Sequence, residues 1–173
     1  MTEELLNEMA KHSAPWLNGE GPDSSVVLSS RIRLARNIND FPFPPSASTD
    51  VRERVIDLAE TAFKRISGLK QGGFFRSRDI DNINQMFLAE RHLISPQFMR
   101  DGIGRGLFID PKERVSIMIN EEDHIRLQAL SSGMSLHNCW EYASKIDNEI
   151  GKSLQFDFDT DFGFLTACPT NVG

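Results

Sequence analysis

The stretch Val115-Ser-Ile-Met-Ile-Asn-Glu-Glu-Asp-His-Ile-Arg-Leu-Gln-Ala-Leu130 decides the fold class. Its two apolar runs, Val115–Ile119 and Ile125–Leu130, predict β-strands, and the acidic residues between them predict a polar connection. Another apolar run, Gly106–Ile109, precedes them and is joined to Val115 through an Asp-Pro-Lys turn. Because strands joined by connections this short pair antiparallel, the sequence predicts an antiparallel sheet.

Helical patterns surround these strands, so the predicted class is α+β, with an antiparallel sheet flanked by helices. Helical spacing of apolar residues predicts helices at residues 3–11, 50–68, 80–91 and 135–150, the second opened by a capping box of Asp50 and Glu53. Further strands are predicted at residues 25–35 and 162–167. Helix residues expected to face the core include Ile83, Met86, Phe87, Leu136 and Trp140. We interpret residues 1–22 as a short N-terminal helical segment and residues 23–173 as the main domain.

The composition is that of a globular protein. The chain has 173 residues, of which 39% are hydrophobic and 25% charged, and its net charge is −6. No apolar run approaches the ~20 residues of a membrane span, and the acidic N-terminus lacks the order of a signal peptide. The negative charge argues against direct binding to nucleic acid or anionic membranes. Cys139 and Cys168 are expected to be reduced thiols in the cytoplasm.

Arginines lie on one side of the predicted strand that contains Ser29-Ser-Arg-Ile-Arg33. In an extended chain Arg31 and Arg33 point to the same face, about 7 Å apart. The planar guanidinium grips two phosphate oxygens at once, so this spacing suits neighbouring phosphates. The alternative is a solvated basic face.

Three consecutive carboxylates follow in Asn120-Glu-Glu-Asp-His-Ile-Arg126. They are costly between apolar strands unless they face solvent, a cation or a substrate. If the run stays extended, Glu122, His124 and Arg126 share a face, and Glu121 points away from Arg126. The alternatives are an acidic hairpin turn or a metal loop. The run lacks the glycine and the ligand spacing of a calcium loop, so we predict no metal site in the protein itself.

A cysteine ends the last predicted strand, in Cys168-Pro-Thr-Asn171. A thiol in this position could be a reactive thiolate or, alternatively, a small buried apolar residue.

Four blocks of the sequence together resemble the ATP:guanido phosphotransferases. They are Ser29-Ser-Arg-Ile-Arg-Leu-Ala-Arg-Asn37, His92-Leu-Ile-Ser95, Asn120-Glu-Glu-Asp-His-Ile-Arg126 and Leu165-Thr-Ala-Cys-Pro-Thr-Asn-Val-Gly173, and they occur in the family's order. Within the family the chain is most similar to the bacterial branch that phosphorylates arginine residues in proteins.

The resemblance implies a role for each matched residue. It implies ATP and Mg²⁺ as cofactors. It assigns the ATP phosphates to Ser29, Ser30, Arg31, Ile32, Arg33 and Arg126, and a nucleotide contact to His92. It also implies that Glu122 orients the substrate guanidinium and removes its proton, and that Cys168 lies beside that guanidinium.

The resemblance also implies partners and a boundary. Expected partners are arginine-bearing protein substrates such as a heat-shock repressor, an activator protein, and the Clp protease. By the family's pattern, a second catalytic glutamate and several C-terminal strands would follow Gly173, so we expect an N-terminal portion of such a kinase. Two alternatives stay open: an inactive relative that binds nucleotide or a partner, and a kinase for small guanidino compounds.

Overall fold

A computed structural model describes residues 2–100 and 103–171. Its helices are α1 (Thr2–Ala10), α2 (Thr49–Arg65), α3 (Asn82–Glu90), α4 (Pro96–Arg100) and α5 (Leu136–Gly151). Its strands are β1 (Ser29–Arg36), β2 (Gly73–Arg76), β3 (Gly106–Ile109), β4 (Val115–Ile119), β5 (Ile125–Ser132), β6 (Phe158–Asp159) and β7 (Gly163–Phe164).

The first five strands form one antiparallel sheet in the order β1-β5-β4-β3-β2, and β6 and β7 form a separate hairpin. The register places Ala35 opposite Arg126 and Arg33 opposite Gln128. The α+β class and the antiparallel sheet flanked by helices are therefore confirmed, and β3 and β4 have the predicted bounds.

Helices cover the two faces of this sheet unequally. On one face, α2 and α5 pack on apolar residues of β3, β4 and β5, including Ile117, Leu127 and Ala129. On the other face, α1, α3 and α4 cover Phe75, Leu107 and other apolar residues of β2, β3 and β4. Since these three helices gather over β2–β4, the same face of β1 keeps exposed side chains, and the candidate site lies there.

Several predicted details are wrong at element ends. β1 begins at Ser29 rather than residue 25, because Val26 is 87% exposed and has no sheet partner within the described residues. Helix α2 is capped by the hydroxyl of Ser48, which accepts from the Val51 N–H at 3.4 Å, so Asp50 is not the cap. Neither β2 nor α4 was predicted.

The inward-facing helix residues are partly wrong. Ile83 is 80% exposed and Met86 is also exposed, since the short helix α3 buries Leu88 and part of Phe87 instead. Helix α5 buries Cys139, Ala143, Ile146 and Ile150 against the sheet. Leu136 and Trp140 of the same helix, predicted to face the core, are exposed.

The predicted strand at residues 162–167 is mostly not a strand. Only Gly163–Phe164 pairs, and its partner is the adjacent Phe158–Asp159. Beyond it, the Ala167 N–H donates to a side chain, that of Asp123, instead of to a neighbouring strand. In the described part of the chain, no helix is long and apolar enough to cross a membrane.

Candidate active site

A cationic face forms where β1 and β5 pair. Arg31 and Arg33 are exposed on β1, as predicted from strand alternation, and Arg126 lies on β5. Partial burial lowers the pKa of Arg33, and the nearby charges of Arg126 and Arg31 lower it further. The strand register places Arg126 on the same face, so the three positive charges are neighbours. Glu121 and Glu122 partly offset their repulsion, and an anionic ligand would relieve the rest.

The side chains of the other residues in the first block have different surroundings. The Ser30 hydroxyl is buried, donates to the Gly133 carbonyl at 2.7 Å and accepts from the Ser135 N–H at 2.8 Å. Ile32 packs on the core, and Ser29 is half-buried at the end of β1. Of this block, Arg31 and Arg33 are the residues that present charged groups to the open face.

The carboxylate bound to Arg126 is that of Glu121. Glu121 Oε2 lies 2.6 Å from Arg126 Nη1, and Glu121 Oε1 accepts from the Ser95 hydroxyl at 2.5 Å. Glu122 Oε2 is 4.0 Å from the same Arg126 nitrogen, and the Glu122 side chain is 40% exposed. The prediction that Glu121 points away from Arg126 is wrong.

The chain turns tightly where extended alternation was expected. Asn120 has φ +56°, and its N–H donates to the His124 carbonyl at 3.1 Å. The Asn120 side chain donates to the Arg52 and Gly104 carbonyls at 2.8 and 2.9 Å, which stabilises this conformation. The turn directs Glu121 to Arg126 and leaves the Glu122 carboxylate half-exposed beside it. Of the alternatives for this run, the hairpin turn is the one observed.

His124 does not share the open face with Arg126, so that expectation is also wrong. Its ring is fully buried between Phe41 and Phe43, and Nδ1 accepts from the Ile38 N–H at 3.0 Å. Nε2 therefore carries the proton and donates to the Pro42 carbonyl at 3.2 Å. Burial lowers the pKa of His124, and the neutral ring links the acidic turn to the loop after β1.

His92 is brought near the cationic face by a residue that the sequence analysis missed. Gln128, on the same side of β5 as Arg126, donates to the His92 carbonyl at 2.7 Å. The exposed imidazole of His92 lies against Trp16, with ring centroids 5.6 Å apart. An alternation count along β5 from Arg126 would have indicated Gln128.

Cys168 is partly exposed, and Cys139 is the buried thiol. Cys168 Sγ lies 2.8 Å from the Thr170 hydroxyl. The residue before it, Ala167, donates its N–H to Asp123 at 2.6 Å. The Cys168 segment therefore reaches the acidic turn next to Glu122. Asp123 was not singled out from the sequence, although it stands in the acidic run.

Arg31 and Arg33 are exposed, so the cationic face is open to solvent. A cavity of about 780 Å³ lies elsewhere, between α1, the end of α2 and β2. Among the described residues, no group of three or more His, Cys, Asp or Glu side chains could hold a metal ion. Clustered arginines beside carboxylates are typical of proteins that bind and transfer phosphoryl groups.

Comparisons with known proteins agree with this class of site. A profile of the ATP:guanido phosphotransferase C-terminal catalytic domain matches residues 54–173. The chain belongs to this family of kinases. The match begins after β1, so it does not include Arg31 and Arg33.

Individual relatives show the same family. The protein-arginine kinase of Symbiobacterium thermophilum is 42% identical over 171 residues, which cover 96% of this chain and 48% of the relative. The duplicated taurocyamine kinase from Schistosoma mansoni, solved with bound transition state analog components, is 28% identical with a TM-score of 0.80, covering 95% of this chain and 24% of that one. A lombricine kinase is 25% identical with a TM-score of 0.79, covering 97% of this chain and 54% of that one. The chain spans about half the length of the curated relatives that it matches.

Proposed function

We propose that this chain is the nucleotide-binding and acceptor-orienting portion of a kinase that transfers the γ-phosphate of ATP to arginine side chains of proteins. The observation that carries the proposal is the convergence of Arg31, Arg33 and Arg126 on one open face, beside the half-exposed carboxylate of Glu122. The curated relatives named protein-arginine kinase support the arginine acceptor.

Arg31, Arg33 and Arg126 fit the phosphates of a nucleoside triphosphate. Three guanidinium groups supply fixed positive charge, and phosphoryl transfer depends mainly on positioning and on neutralising charge. Glu121 and Ser95 restrict the orientation of Arg126 before any ligand binds. Mg²⁺ would enter with ATP and neutralise phosphate charge, which agrees with its preference for few protein ligands. His92, at the edge of the face, would contact the nucleotide.

We propose that Glu122 and Cys168 bind the guanidinium of the arginine that accepts the phosphate. A guanidinium has a pKa above ~12 and is a poor nucleophile until a carboxylate aligns and deprotonates it. In the step that we propose, a guanidinium nitrogen forms the new bond to the γ-phosphorus, and the bond between that phosphorus and the β–γ bridging oxygen breaks. ADP leaves with the electron pair, and Glu122 takes the nitrogen's proton. Cys168 would lie beside the guanidinium.

Calorimetry with Mg·ATP tests the nucleotide site. Each charge-assisted contact contributes about 1.5–3 kcal/mol, so Arg126→Ala should weaken binding roughly tenfold or more. Arg78→Ala is the control, because Arg78 is an exposed arginine at the other end of the sheet, after β2. Equal affinities of Arg126→Ala and the unchanged chain would remove Arg126 from the site.

A second candidate function is binding without turnover. The open face with Arg31, Arg33 and Arg126 favours it, since clustered guanidinium groups can bind phosphates without transferring them. An assay for protein phosphoarginine separates the two candidates: ATP binding with no product from this chain, and product from a chain extended to the relatives' length, would support the binding role. A kinase for small guanidino compounds would phosphorylate free arginine or taurocyamine faster than a protein.

The proposed kinase role extends to partners and location. We infer a cytoplasmic bacterial protein that acts in a stress response. Its proposed partners are arginine-bearing substrates such as a heat-shock repressor, an activator protein, and the Clp protease that receives the modified proteins. Co-purification with each partner, compared between the unchanged chain and Glu122→Gln, is the direct test.

A further inference from the structure

Asp123 is a fully buried carboxylate that accepts hydrogen bonds from two other segments. Its Oδ1 accepts from the Ala167 N–H at 2.6 Å and from Asn37 Nδ2 at 2.7 Å. Its Oδ2 accepts from Asn171 Nδ2 at 3.3 Å. A buried charge is tolerated only when its oxygens are bonded in this way, so the three donors and the carboxylate stabilise one another.

Asn37 joins the end of β1 to the same network. It is completely buried, its Oδ1 accepts from the His124 N–H at 3.0 Å, and its Nδ2 also donates to the Leu165 carbonyl at 3.1 Å. The arginine strand, the acidic turn and the Cys168 segment are therefore tied together by two adjacent buried side chains.

The Cys168 segment depends on this network because it has no strand ladder. Its other hydrogen bonds are internal: the Thr166 hydroxyl and the Asn171 N–H both donate to the Cys168 carbonyl. Among the described residues, the hydrogen bonds from residues 166–171 to the rest of the protein all end on Asp123. Asp123 thus fixes residues 166–171, while Asn37 and the Asp157 carbonyl fix Leu165 just before them.

The position of that side chain is informative. Asp123 directly follows Glu122, and Ala167 directly precedes Cys168, so Glu122 and Cys168 flank one short hydrogen bond. We propose that Asp123 is a positioning residue that holds Cys168 next to Glu122, where the acceptor guanidinium would bind. The acceptor part of this statement rests on the proposed function, whereas the docking of the segment by Asp123 does not.

The reactivity of the Cys168 thiol reports whether residues 166–171 are held against Asp123. The chain has two cysteines, of which Cys139 is buried and serves as an internal control for global unfolding. The full chain would be treated with iodoacetamide without ATP, and the modification of each cysteine would be followed by mass spectrometry. Asp123→Ala should shift the segment from docked to undocked by about tenfold or more, the factor expected for losing a hydrogen bond to a charged group, and so raise the modification rate of Cys168, which is only partly exposed when docked. Cys139 should stay protected.

Graded variants separate positioning from a general loss of stability. Asp123→Asn keeps an oxygen acceptor for the Ala167 N–H and should restore most of the protection of Cys168. Asn171→Ala removes only the longest bond and should have a smaller effect than Asp123→Ala. The matched control is Ser116→Ala, which removes a buried β4 hydroxyl that donates to the Leu93 carbonyl at 2.7 Å and not to residues 166–171. It should lower the melting temperature without raising Cys168 reactivity.

Two results would overturn the proposal. One is equal Cys168 reactivity in Asp123→Ala and the unchanged chain. The other is an equal increase in Ser116→Ala. If Asp123→Ala also exposes Cys139, the comparison of Asp123→Asn and Asn171→Ala with Ser116→Ala decides the question. Failure of ATP binding would count against the proposed function alone, because the thiol assay contains no nucleotide.

Discussion

Replacing Glu121 and Glu122 separately by glutamine tests the geometry of the acidic turn. Glu121 is buried and bonded to Arg126 and Ser95 at 2.6 and 2.5 Å, whereas Glu122 is 4.0 Å from Arg126 and half-exposed. Glutamine keeps the size and one acceptor oxygen but removes the charge. We therefore expect Glu121→Gln to destabilise the fold and Glu122→Gln to leave stability nearly unchanged.

The expected loss of folding stability in Glu121→Gln follows from the hydrogen bonds that Glu121 makes to Arg126 and Ser95. A hydrogen bond to a charged group contributes about 1.5–3 kcal/mol and a neutral one about 0.5–1.5 kcal/mol, so weakening two bonds should cost roughly 2 kcal/mol. For a chain of this size that corresponds to a fall in melting temperature of about 4–8 °C. The ion pair between Glu122 and Arg126 is partly exposed and 4.0 Å long, and such pairs contribute about 0–1 kcal/mol. Glu122→Gln should therefore change the free energy of unfolding by less than about 1 kcal/mol.

Urea unfolding of Glu121→Gln and Glu122→Gln, each alone and combined with Arg126→Gln, measures the loss of stability and the coupling of each glutamate to Arg126. The coupling free energy between Glu121 and Arg126 should be about 1 kcal/mol or more, and that between Glu122 and Arg126 near zero. A larger loss or a larger coupling for Glu122 would mean that the run is extended, and it would refute the turn geometry.

Three further predictions address catalysis, association and pH. In a chain extended to the relatives' length, Glu122→Gln should lower protein phosphoarginine formation by about 10²–10⁴-fold with ATP affinity unchanged. An unaffected rate would exclude Glu122 as the base. Trp140 is 51% exposed on α5, the helix that packs on the terminal strand β1. This exposed ring beside a terminal strand should make the chain associate with increasing concentration in sedimentation experiments, and less so in Trp140→Ser. A monomer at all concentrations would contradict the prediction. Burial lowers the pKa of His124 in the folded state. Protons therefore bind preferentially to the unfolded chain, and the free energy of unfolding should fall as the pH drops below about 6.5. Measured by urea titration at several pH values, the slope of this free energy against pH should be smaller for His124→Gln, and an unchanged slope would assign the pH dependence to other groups.

Strand positions were predictable where the local signals agree. Gly106–Ile109 and Val115–Ile119 are short apolar runs bounded by Asp110, Pro111 and Asn120, and both have the predicted bounds. Their neighbour β2 was missed because Gly73-Phe-Phe-Arg76 is short and contains a glycine, and its strand geometry comes from pairing with β3. Side-chain direction in helices was less predictable: Ile83 and Trp140 fit an apolar pattern, yet no described element covers them.

The sequence by itself determined the family, the antiparallel class of the sheet and the placing of Arg31 and Arg33 on one face, because motif identity and strand alternation are local properties. Only the tertiary structure decided which glutamate meets Arg126. The turn at Asn120 depends on its side chain donating to the Arg52 and Gly104 carbonyls, which belong to distant parts of the chain. Likewise, the Cys168 segment lies against the acidic turn because Asp123 accepts the Ala167 N–H across 44 residues of sequence. Hydrogen bonds between residues so far apart leave no periodicity in the sequence, so alternation alone assigned the wrong carboxylate.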